Sequence, residues 1–128
     1  MADYSHSSTE LTILAPNIFK MKPSEGAEIK VEDIRELRIK CLELSKGGSF
    51  AILLDATGIF TIKDDARALL ASTEFTDKRI AAAFVTPGLA NRIVGNFFIR
   101  FNKPASATKL FNDEASAFEW LKQIMAAK

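Results

Sequence analysis

The chain has 128 residues, 48% of them hydrophobic and 26% charged, with 17 basic and 16 acidic side chains and a net charge of +1. That length suits one domain, able to bury roughly 65–70% of its unfolded surface without a disulfide or metal staple. The near-neutral balance excludes the electrostatic footprint of a nucleic-acid binder and of a protein held on anionic membrane by charge alone. A single cysteine, Cys41, excludes an intrachain disulfide and points to a reducing, cytoplasmic compartment. No signal-peptide pattern opens the chain, and no apolar run approaches the ~20 residues that cross a bilayer.

In chain order, residues 1–9 are small and polar and read as a disordered leader. Residues 10–128 read as a single domain. Residues 11–15 (LTILA) form a first expected strand, Pro16-Asn17 a turn, and 18–22 (IFKMK) a second strand, together an antiparallel hairpin. Pro23 to Gly26 is a break. From 31 to 45, Ile34, Leu37, Cys41 and Leu44 recur at helical steps. Glu32 and Asp33 suit the helix start, and Gly47-Gly48 suits its end.

Residues 50–54 (FAILL) are apolar without alternation, the mark of a strand covered on both faces. A second helix is expected over 63–72, with Thr61 as N-cap and Asp64 and Asp65 in its first turn. Residues 79–85 (RIAAAFV) make the next strand, whose three alanines permit close approach of a helix. Over 89–101 the pattern is helical: Ala90, Ile93, Val94, Phe97, Phe98 and Phe101 share one arc and Arg92, Asn96 and Arg100 another. A final strand at 108–111 precedes a helix over 113–125 capped by Asn112. The order ββαβαβαβα implies an α/β fold of about five strands with parallel pairs joined by right-handed crossovers.

Chemistry-bearing constellations are sparse. The one histidine, His6, lies in the leader, away from any triad or metal-ligand set. Cys41 falls on the apolar helix face, where burial is its ordinary fate. The glycines match no phosphate-binding loop, and Asp64 and Asp65, about 100° apart on a helix, do not jointly hold a proton or metal. No cofactor and no metal site is expected, and the chain reads as a non-enzyme. Asp55, at the carboxyl end of a buried strand, is the one candidate acid or base; the simpler reading is that it bonds the loop amides of residues 56–58. Ile99 projects beside Arg92, Asn96 and Arg100, a composition that suits a small contact surface.

This order of elements, with FAILLDATGIFTIKDDARALLAS at its centre, resembles the STAS domain, the fold of bacterial anti-sigma-factor antagonists. RIVGNFFIRFNKP and TKLFNDEASAFEWLK are similar to small bacterial STAS-like proteins. The resemblance spans about residues 10–126 and implies a non-enzymatic protein-binding or regulatory domain. In the antagonists a serine at the start of the second helix, within Asp-Ser-Ser/Thr-Gly, is phosphorylated and the partner is released. The matching stretch here is Thr61, Ile62, Lys63, Asp64 and Asp65, with neither the serine nor the glycine. The resemblance therefore implies a partner surface at Thr61, Ile62, Lys63 and Asp64, extended by Arg92, Asn96, Ile99 and Arg100, without the phosphorylation switch. The exposed hairpin edge also allows a homodimer. The alternative is a small-molecule or lipid binder whose apolar pocket is lined by Phe97, Phe98 and Phe101.

Overall fold

A computed structural model describes residues 3–5, 9–58, 60–72, 77–86 and 107–127. Its strands are β1 (Tyr4–Ser5), β2 (Thr9–Ala15), β3 (Ile18–Pro23), β4 (Glu28–Ile29), β5 (Phe50–Asp55), β6 (Thr61–Ile62), β7 (Arg79–Val85) and β8 (Ala107–Phe111). Its helices are α1 (Val31–Leu44), α2 (Asp64–Ala71) and α3 (Glu114–Ala126). The expected helix over 89–101 lies outside the described residues.

Six strands form one mixed sheet in the order β1-β2-β3-β5-β7-β8, and β4 and β6 form a separate pair. The first three strands are antiparallel neighbours, and β3, β5, β7 and β8 run parallel. The hairpin closes tightly because Asn17 takes φ 64°, a left-handed conformation that asparagine tolerates better than most residues. β5 sits among the parallel strands and is covered on both sides, as its unbroken apolar run requires. Ala51 and Leu53 pack toward α3 with Ile18, Ala81, Ala83, Val85, Ala117 and Leu121. Phe50 and Ile52 point the other way, to Leu11, Phe19 and Cys41 of α1. Of the three alanines of β7, Ala81 and Ala83 admit α3 closely, while Ala82 alternates to the opposite face.

Four local readings change. The leader contributes β1: Tyr4 pairs with Leu11 and Ser5 with Glu10. Tyr4 also packs beside the Leu11–Cys41 cluster, with the Lys40 ammonium 4.7 Å from its ring centroid. A polar segment forms a strand when its backbone finds a partner edge and one aromatic ring is half-buried against the core; β1, not β2, is therefore an edge of the sheet. Thr61 is not a helix cap but lies in β6; the N-cap of α2 is Lys63, whose side chain makes no capping hydrogen bond. Asp113, not Asn112, caps α3, accepting from the Ser116 amide at 2.7 Å and the Ser116 hydroxyl at 3.1 Å. The short pair β4–β6 was not expected, because two residues carry no periodicity. α1 ends as anticipated, with Lys46 and Gly47 both at positive φ and the Gly47 amide donating to Leu42 O at 2.8 Å.

Candidate functional site

The parallel strands β3, β5, β7 and β8 end along one edge, and β3, β5 and β8 lead from it toward α1, α2 and α3. Loop residues and helix starts therefore converge there, the edge where open α/β sheets carry their sites. Two arrangements stand at this edge.

The first is a polar brace on the α3 face. Asp55 follows Ala51 and Leu53 in the alternation of β5, and Lys20 follows Ile18 in β3, so both lean toward the start of α3. The Lys20 ammonium donates to Glu114 Oε1 at 2.7 Å and lies 3.8 Å from Asp55 Oδ2. Asp55 Oδ1 accepts from the Thr57 amide at 3.1 Å and the Thr57 hydroxyl at 2.6 Å. The loop-bonding role expected of Asp55 is thus present, together with a lysine that sequence reasoning missed. A signal existed: Lys20 stands in phase with the inward-facing Ile18. Glu114 carried none, since it meets Lys20 only after the chain returns across the sheet. Nearby, Thr86 Oγ1 is shielded from solvent, with no hydrogen-bond partner among the described residues.

The second is the β4–β6 platform. Glu28 pairs with Thr61 and Ile29 with Ile62, held by bonds from the Thr61 amide to Ala27 O at 2.9 Å and from the Lys63 amide to Ile29 O at 3.1 Å. Ile29, Ile34 and Ala66 form a buried cluster beneath it, against which Ile62, Phe60 and Leu69 pack. Ile62 is half-buried against this cluster, with the rest of its side chain left at the surface. Thr61, Lys63 and Asp64 are brought together and exposed, with Glu28 and Asp65 beside them. Lys63 Nζ lies 3.8 Å from Glu28 Oε2, and Asp64 is ion-paired with Arg67 while its side chain remains 92% exposed. Pairs so open to water contribute little stability and leave their charges available. Arg92, Asn96, Ile99 and Arg100, and the rings of Phe97, Phe98 and Phe101, lie outside the described residues.

Cys41 is fully buried, and burial pushes its thiol up to about 12 despite the opposing charge of Arg79. That positive neighbour, contributed by a strand distant in sequence, was not foreseen, yet desolvation prevails over it. Among the described residues, no group of three or more histidine, cysteine, aspartate or glutamate side chains is placed to hold a metal ion. Nor is any described helix long and apolar enough to cross a membrane.

Comparison with solved structures places this architecture in the STAS-like class. An uncharacterised protein of the DUF3478 family from Shewanella loihica PV-4, described as having a SpoIIAA-like fold, superposes with a TM-score of 0.63 over 94% of this chain and 98% of its own, at 16% identity. That likeness is one of fold. The chain itself belongs to the family DUF7793, a domain of unknown function, whose model matches residues 12–125. No curated protein matches the sequence.

Proposed function

We propose that this domain is a non-enzymatic, cytoplasmic interaction module that binds a protein partner through the β4–β6 platform and the first turn of α2, without a phosphorylation switch. The observation that carries the reading is the permanent, solvent-facing carboxylate of Asp64 at the start of α2. In the anti-sigma-factor antagonists that the fold resembles, a phosphorylatable serine stands at this place. A phosphate there would bring about 1.5–2 negative charges; Asp64 and Asp65 supply fixed charge instead. Thr61, the nearest hydroxyl, is held one strand earlier. The tethered state of Asp55 and the buried, protonated thiol of Cys41 further support a binding role over catalysis.

The test is affinity capture from the native lysate with the wild-type domain, Lys63→Glu and Asp64→Lys, each checked for an unchanged thermal melt. One protein retained by the wild type and lost by both variants is the expected result. Retention of the same proteins by all three, or of none alongside a monomeric domain, would count against the reading.

A further inference from the structure

β1 is the shortest strand of the six-stranded sheet and lies at its edge, on β2. Of the seven residues of β2, only Glu10 and Leu11 pair with it. Asp3 extends the grip: its amide donates to Leu11 O at 2.9 Å, and its exposed carboxylate accepts from the Ile13 amide at 2.7 Å. Tyr4 adds a half-buried ring against the Leu11–Cys41 cluster, with the Lys40 ammonium over it. Asp3 and Ser5 are exposed. A segment with one half-buried ring and backbone bonds open to water belongs to the part of a fold that opens locally at small cost.

Opening uncovers a particular edge. The Leu11 carbonyl and the Ile13 amide face β1, while Glu10 and Thr12 turn their backbone groups toward Lys22 and Lys20 of β3. Ile13 lies opposite Phe19, in phase with Leu11 on the α1 side of the sheet, and is 43% exposed. An unpaired edge with an exposed apolar side chain beside it is a template for another strand. This one is complementary to itself. Two antiparallel copies of β2 crossing at Thr12 set Leu11 of each against Ile13 of the other, so that their outward backbone groups pair. Glu10 then meets Leu14, and no like charges are opposed. Such a contact is isologous, the commonest closed symmetry of dimers.

We propose that β1 is a releasable clasp over the β2 edge, and that its release lets two copies of this chain pair antiparallel through β2 as one continuous sheet. The β4–β6 platform takes no part in this contact, so the proposal stands apart from the partner surface. Each copy must open before pairing, so the clasp lowers the apparent association constant by the square of its open fraction. An open fraction of about a tenth gives about a hundredfold.

The test compares the full-length wild type with Asp3→Pro/Tyr4→Ala, which removes the Asp3 amide donor, its carboxylate and the ring, by sedimentation equilibrium over a range of concentrations. The double variant is expected to dimerise about a hundredfold more tightly than the wild type. Adding Ile13→Pro, which deletes an amide facing away from β3, should restore the monomer. Amide exchange gives a readout that does not need the Ile13→Pro protein to fold: in the double variant, the Leu11 and Ile13 amides should gain protection as concentration rises, with Glu10 and Thr12 protected throughout. Should the double variant itself fail to fold, Tyr4→Ala alone is read in the same way. Equal association of wild type and clasp variant, or a dimer in which the Leu11 and Ile13 amides stay unprotected, overturns the proposal.

Discussion

The two faces of the central sheet are filled by opposite means. Toward α3, small residues dominate: Ala51, Ala81, Ala83 and Ala117 bring helix and sheet close, and Leu53 and Leu121 fill what remains. Toward α1 the residues are large, with Phe19 and Phe50 at 5.9 Å between ring centroids, yet a cavity persists and two arginines, Arg38 and Arg79, line it. Close packing by alanine leaves little tolerance for change, whereas the large side chains on the other face leave space unfilled. The first face is a structural seam. The second is packed less completely.

The largest expected effect follows from the α3 face. Leu121 is fully buried, and Leu121→Ala should cost about 2–5 kcal/mol in denaturant unfolding, because a close-packed seam collapses poorly around a void. Adding volume separates the faces next. Ala83→Leu should destabilise by about 1–3 kcal/mol, while Cys41→Val, beside the cavity, should stay within about 1.5 kcal/mol. Equal losses from the two would show that the faces do not differ in packing.

The smallest effect concerns the start of α3. Bonds from Ser116 hold the Asp113 carboxyl below its ordinary value of 3.8. A folded-state value depressed below the unfolded one stabilises above the unfolded value and is lost as pH falls through the folded one. Stability of the wild type should therefore decline as pH drops below about 4, and Asp113→Ala should show a flatter acid limb in the same melts. Parallel acid limbs would mean that the cap does not couple to folding.

Much of the architecture was legible because periodicity is local. The run FAILL announced a strand covered on both faces, Ile34, Leu37 and Cys41 announced the buried side of α1, and the glycines after residue 45 announced its end. Thr61 illustrates where such reading stops. As a threonine ahead of two aspartates it suits an N-cap, but pairing with Glu28 draws it into a strand that no local pattern signals. Tyr4 and Ser5 were misread for a related reason: a polar dipeptide becomes a strand only when an edge is waiting.

The sequence by itself determined the α/β class, the burial of Cys41 and the charge at the start of α2, since each depends on residues close together in the chain. Only the tertiary structure decided the Lys20–Asp55–Glu114 brace, the β4–β6 platform and the meeting of Arg79 with Cys41. Each of these joins residues far apart in sequence, and their contact is set by strand order and register, which individual segments do not encode. The fixed charge of Asp64 was visible from the outset; that it stands on a braced platform, open to solvent, is what folding added.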